Sequence, residues 1–107
     1  MNGIEITPTE LKSSFDKGNF PLVLDVREAW EYNTAHLDPS TLIPLGQLHS
    51  QLDKLDKNAE IVTLCHHGVR SLNAAFFLRQ NGFKNVRSLA GGIDLWSMTI
   101  DPKVPRY

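Results

Sequence analysis

The sequence predicts an α/β fold, an open and mainly parallel five-stranded sheet with helices on both faces. Two observations point there. Strand-like and helix-like segments alternate about five times with short connections, which implies right-handed crossovers between parallel strands. Two of the strand-like runs, FPLVLDV at 20–26 and EIVTLC at 60–65, are nearly continuous in apolar and β-branched residues, the pattern of strands covered on both faces.

The elements follow in order. IEITPTELKSSFDKG at 4–18 opens with a short strand-type alternation. Thr7 then offers a helix N-cap, Pro8 the first helical position and Glu10 the acid of a capping box, with Gly18 as the stop. After the strand at 20–26, REAWEYNTAHL at 27–37 reads as a short helix with Trp30 packed and Glu28 and Glu31 in its first turns. STLIPL at 40–45 gives a brief strand around Leu42 and Ile43, cut by Pro44. LGQLHSQLDKL at 45–55 spaces Leu45, Leu48, Leu52 and Leu55 as one stripe of an amphipathic helix, and DKLDKNAE at 53–60 is its solvated end. Beyond the strand at 60–65, SLNAAFFLRQNG at 71–82 reads as a helix with Leu72, Ala75, Phe76 and Arg79 on one face and Gly82 as its stop. NVRSLAGG at 85–92 is a last strand ending in paired glycines. IDLWSM at 93–98 is a last helical turn or two with Trp96 in the core, and TIDPKVPRY at 99–107 has no periodicity.

The length of 107 residues suits one domain over 1–107, able to bury roughly 60 to 70 percent of the surface its unfolded chain exposes. Apolar residues make 41% and charged residues 21%, ordinary globular usage that excludes a disordered chain. No apolar run approaches the ~18 residues that span a bilayer, and MNGIEITPTE lacks the basic flank and apolar centre of a signal peptide, so a cytoplasmic protein is expected. The net charge of −1 is spread evenly, which argues against nucleic acid and membrane partners; any bound anion is small and locally recognised. A single cysteine excludes an internal disulfide and a two-thiol redox site.

That cysteine, Cys65, closes a buried strand and opens a polar turn, CHHGVRS at 65–71, which leads into a helix. In open α/β sheets the sites lie at the carboxyl edge of the strands, and LDVRE at 24–28 and LAGG at 89–92 arrive at the same edge. A free thiol is only a few percent thiolate at neutral pH, so nucleophilic use needs help. Here the unpaired N–H groups and positive end of a helix can face the sulfur, Gly68 permits the left-handed conformation that curls amides inward, and Arg70 adds a planar cation. A thiolate in such a nest is equipped to attack an anionic donor and to hold the terminal anion that results. No separate base and no cofactor are required.

CHHGVRS resembles the active-site loop of rhodaneses, sulfurtransferases that carry a persulfide on one cysteine within a C-x-x-G-x-R loop. LDVRE, followed by Glu31 and by AHL before IPL, is similar to the family's upstream Asp-x-Arg motif, and LAGGIDLW to its closing Gly-Gly-x-x-x-Trp segment. The three ordered motifs cover roughly residues 4–98 and fit a single-domain rhodanese. Ala35 stands where the family has glycine, and DPSTL at 38–42 replaces the usual Pro-Gly-Ala. The resemblance implies Cys65 as persulfide carrier and the backbone amides of His66, His67, Gly68, Val69, Arg70 and Ser71 as its cradle. It further implies Arg70 as the anion-binding side chain, and Asp25 and Arg27 as groups bracing the sheet edge behind the loop. The partners implied are thiosulfate or a related sulfane donor, a thiol or cyanide acceptor, and a sulfur-accepting protein.

The same residues admit other chemistry. His66 and His67 beside Cys65 suggest a metal, but adjacent side chains point apart and no zinc spacing is present, so no metal ligand is assigned. Their other role is to line the pocket mouth. His36 reads as a hydrogen-bonded structural histidine. Cysteine phosphatases and arsenate reductases also set a cysteine in an amide loop closed by arginine, yet they place five residues between the two, and here there are four. The smaller ring suits a bare sulfur better than a phosphoryl group. A sulfur-relay or docking module, whose partner supplies the chemistry, is the alternative from outside the enzymes.

Overall fold

The computed structural model describes residues 3–107. Its elements run β1 (Glu5–Ile6), α1 (Pro8–Asp16), β2 (Leu22–Asp25), α2 (Ala29–Thr34), β3 (Thr41–Leu42), two short 3-10 segments (Leu45–Ser50 and Leu52–Lys54), β4 (Ile61–Leu64), α3 (Val69–Gln80), β5 (Val86–Leu89) and α4 (Gly92–Thr99). The five strands form one sheet in the order β1-β5-β4-β2-β3, and every neighbouring pair is parallel. The α/β architecture read from the alternation of segments is the one observed.

Local chemistry sets the boundaries. Thr7 Oγ1 accepts from the Glu10 N–H at 3.1 Å while Glu10 returns a carboxylate to the Thr7 N–H at 2.9 Å, closing the capping box that starts α1. Gly18 follows in the left-handed region at φ +79°. In β4 the side chains alternate between two cores, because successive residues of a strand face opposite ways. Ile61 and Cys65 join Leu24, Val26, Ala74, Ala75, Leu78 and Phe83 on the α3 side. Val62 and Leu64 join Leu11, Val23, Ile93 and Trp96 on the side of α1 and α4. Each such aliphatic side chain removed from water contributes about 1.5–3 kcal/mol before conformational entropy is counted. Among the described residues no helix is long and apolar enough to cross a membrane.

Three expectations are corrected. The leucine stripe at 45–55 is not an α-helix. Its bonds run three residues back, from Gln47 N–H to the Pro44 carbonyl at 2.8 Å and from Gln51 N–H to that of Leu48 at 3.0 Å. Gly46 and Ser50 propagate an α-helix poorly, and the tighter winding keeps Leu45 with Leu48, and Leu52 with Leu55, on the core side.

Trp30 is 63% exposed rather than packed, because α2 turns Glu31 inward instead. The buried stripe of α3 is Ser71, Ala74, Ala75 and Leu78, one residue out of phase with the apolar stripe expected, and Phe76 lies 50% exposed. The cause is Ser71, whose side chain is claimed by the cysteine loop and fixes the helix's rotation.

Candidate active site

The α3-facing parity of β4 sends Ile61, Thr63 and Cys65 to one face, so Cys65 Sγ emerges at the carboxyl end of the strand over the start of α3. Thr63 Oγ1 donates to the Ser71 carbonyl at 2.7 Å, tying strand to helix behind the sulfur. Gly68 is the N-cap of α3 with φ +105°, a conformation that L side chains rarely adopt. The turn it makes points backbone donors at the sulfur: Gly68 N–H at 3.0 Å and Ser71 N–H at 3.3 Å. Ser71 Oγ lies 3.3 Å from Sγ and 2.8 Å from the hydroxyl of Ser88 on β5.

The loop's carbonyls face the other way. Ile93 N–H donates to the Cys65 carbonyl at 2.8 Å and Asp94 N–H to that of His66 at 3.1 Å. The first turn of α4 thus binds the outer rim of the loop, and peptide planarity turns the amides toward the sulfur. This approach requires glycine. A Cβ on Gly92 would lie 2.5 Å from the Cys65 carbonyl oxygen and closer still to that of His66, and Gly92 and Gly91 both hold positive φ. The role of LAGG at the sheet edge is therefore steric.

Charge is organised behind the loop. Arg70 makes a two-pronged ion pair with Glu31, Nη1 to Oε1 at 2.6 Å and Nη2 to Oε2 at 2.8 Å. The Arg70 guanidinium first, and then the Glu28 N–H and the Tyr107 hydroxyl, hold the Glu31 carboxyl down at about 2 against the opposing effect of burial. Arg70 is raised in return. The cation expected to clasp a bound anion therefore has its forked face occupied by Glu31, and offers a donor only its half-exposed flank. Asp25 and Arg27, both fully buried, form a second two-pronged pair at 2.9 and 2.7 Å. Arg27 also donates to the Ala35 carbonyl at 2.6 Å, fastening the end of α2 to the sheet.

The histidines do not point apart as their adjacency suggested. Their rings stack at 3.9 Å and 23°. Burial first, then the charge of His67, push the His66 imidazole below its ordinary value. His67 lies 3.7 Å from Asp94, and His66, His67 and Asp94 place ligand atoms within 4.8 Å of one another, although Arg106 engages the same carboxylate at 2.8 and 3.4 Å. Val69 is 71% exposed, so of the loop residues singled out it turns its side chain away from the sulfur. His36 is hydrogen-bonded, through Nδ1 to the Tyr32 carbonyl at 3.0 Å, and lies outside this cluster.

Four contributors escaped the sequence. Glu31 carried a signal, as the glutamate after Asp-x-Arg and as a helix-start acid, but neither pattern assigns it to Arg70. Ser88 looked like any strand residue. Asp94 and Tyr107 reach the loop through tertiary paths that no local pattern encodes.

Fold and site together define a class: a parallel α/β protein with one cysteine held in an amide loop at the sheet's carboxyl edge. The Rhodanese-like domain family matches residues 7–99, and the chain belongs to that family. It is 36% identical over 109 residues to "Adenylyltransferase and sulfurtransferase MOCS3-2" of Zea mays, a match covering 95% of this chain and 23% of that protein. The chain spans about a quarter of the length of the first curated relatives it matches. It is also 31% identical over 99 residues to YtwF of Bacillus subtilis (strain 168), named as a candidate sulfurtransferase, covering 92% of this chain and 95% of that one. Among solved structures, a rhodanese-related protein from Thermoplasma volcanium superposes with a TM-score of 0.83 at 30% identity, covering 96% of this chain and 98% of that one.

Proposed function

We propose that the chain is a sulfurtransferase that carries a sulfane sulfur on Cys65. The observation that carries this reading is the pair of N–H donors, from Gly68 and Ser71, aimed at Sγ from a loop with four residues between cysteine and arginine. Such donors stabilise negative charge on sulfur before and after transfer without reorganising, the same effect that oxyanion holes exert on oxygen. The Cys65 thiolate attacks the outer sulfur of thiosulfate or a related donor, forming the new S–S bond. The bond to the sulfonate breaks, and sulfite leaves with its electron pair. The terminal sulfur then bears the charge inside the amide ring. Cyanide or a thiolate attacks that outer sulfur next, and the Cys65 thiolate departs with the S–S electrons, ready for another cycle. Arg70, bound to Glu31, holds the ring's shape and supplies a cationic flank to the incoming anion.

A relay reading is favoured by two observations. Cys65 is 1% exposed, and a relative such as MOCS3-2 carries a sulfurtransferase name over a much longer chain, so the acceptor can be a protein that opens the site. Steady-state kinetics with thiosulfate and cyanide test the enzyme reading. Parallel double-reciprocal lines are expected, abolished in Cys65→Ser; Cys65-dependent hydrolysis of an aryl phosphate, with no thiocyanate formed, would overturn it.

A further inference from the structure

The loop opens at the sheet edge, yet Cys65 is almost wholly buried, and a segment beyond the family's matched residues packs against the loop. The Tyr107 ring lies on His66 with centroids 4.0 Å apart and planes within 8°. His67 stacks on His66 at a similar distance, and two rings that close and near-parallel cannot share one face, so His66 is sandwiched between them. The Tyr107 hydroxyl accepts from Arg27 Nη1 at 2.8 Å and donates to Glu31 Oε2 at 2.8 Å, joining the two ion pairs behind the loop. Trp30, otherwise exposed, meets the Tyr107 ring edge-on at 5.9 Å. Arg106 is anchored on the opposite side, to Asp94 of α4. Residues 106 and 107 thus lie against the loop at His66, with one foot on α4 and the other on α2 and the turn that precedes it.

We propose that Tyr107, with Arg106, is a strap that determines which donors and acceptors reach Cys65. Three features make it movable. Neither Arg106 nor Tyr107 is fully buried, so lifting these two residues alone, with Val104 left on the core, uncovers only what the Tyr107 ring covers. The Arg106–Asp94 pair is on the surface, where such pairs hold weakly. His66 Nε2 is buried without a hydrogen-bond partner among the described residues, a penalty on the closed arrangement that opening to water relieves. A small sulfane anion needs only a partial opening beside the stack, whereas a bulky donor or a protein acceptor must displace Tyr107 from His66. This inference rests on the sulfur-transfer reading for its biological meaning, but thiol access can be read without turnover.

The experiment compares rates of Cys65 modification by iodoacetamide, which is small, and by pyrenyl maleimide, which is bulky, in wild type, Tyr107→Ala, Tyr107→Phe and Arg106→Ala. Tyr107→Ala should raise the maleimide rate about tenfold or more, and the iodoacetamide rate by clearly less, because apparent reactivity scales with the open fraction that each reagent requires. Arg106→Ala should give a smaller rise in the same order. Unchanged rates in a folded Tyr107→Ala, or equal rises for both reagents, would overturn the strap. Should Tyr107→Ala fail to fold, Tyr107→Phe decides: it keeps the stack and loses both hydroxyl bonds, so a selective rise supports the strap and wild-type rates refute it. Persulfide formation followed in the same variants separates the two claims. Its absence everywhere defeats sulfur transfer alone, and its presence with unselective access defeats the strap alone.

Discussion

At the scale of single residues, Glu31 shows how a charge placed away from the sulfur governs the site. Its carboxyl, held at about 2 by Arg70 from an ordinary 4.5, contributes stability that is fully present above pH 4.5 and is lost as the pH falls toward about 2. Arg70 is half-exposed and solvent screens its side of the pair, so the contribution is about 2 kcal/mol rather than the full value of the shift. Glu31→Gln should therefore unfold about 2 kcal/mol more easily than wild type in urea at pH 7, with the gap closing by pH 2; a gap constant across that range would contradict the assignment. The cysteine's place in an amide loop was legible because it closes a buried strand just ahead of a glycine turn and a helix start. Arg70 was legible as a cation of the loop but not as half of an ion pair, since Glu31 lies 39 positions away. Trp30 misled because a large apolar side chain argues for burial, whereas its short helix was rotated to bury a glutamate.

At the scale of elements, the cradle depends on two helix starts acting on opposite sides of one loop. The start of α3 supplies donors to the sulfur, and that of α4 binds the carbonyls of Cys65 and His66. The paired glycines at 91–92 announced a strand end in the sequence, but their purpose appears only when the Cβ that Gly92 lacks is seen to overlap the loop's backbone. Gly92→Ala should destabilise the fold by roughly 3 kcal/mol or more in chemical denaturation, from strain at positive φ plus backbone overlap. A change under about 0.5 kcal/mol would show that α4 does not press on the loop as described. The phase of α3 was misread for a related reason. Periodicity counts apolar residues, and the helix instead turns Ser71 inward to hydrogen-bond the Cys65 sulfur, so a polar contact overrode the hydrophobic stripe. The 3-10 segments at 45–54 went unseen because leucines three apart satisfy both helical periods.

At the scale of the whole molecule, the parallel sheet converts a pattern of apolar runs into a geometry in which three separated motifs meet. LDVRE, CHHGVRS and LAGG each end a strand, and the order β1-β5-β4-β2-β3 puts β4 between the other two, so Cys65 has Arg27 on one flank and Gly92 on the other. That much was legible, because strand direction follows from short right-handed connections. The return of residues 101–107 across the site was not, since a segment without periodicity can be placed only by contacts made after the core has formed. The central claim is that this convergence makes Cys65 a carrier of sulfur. Intact-mass spectrometry after treatment with thiosulfate tests it most directly. Wild type should gain the mass of one sulfur atom, removable by reductant, and Cys65→Ser should gain none; an unaltered wild-type mass, or the same gain in the variant, would contradict the account.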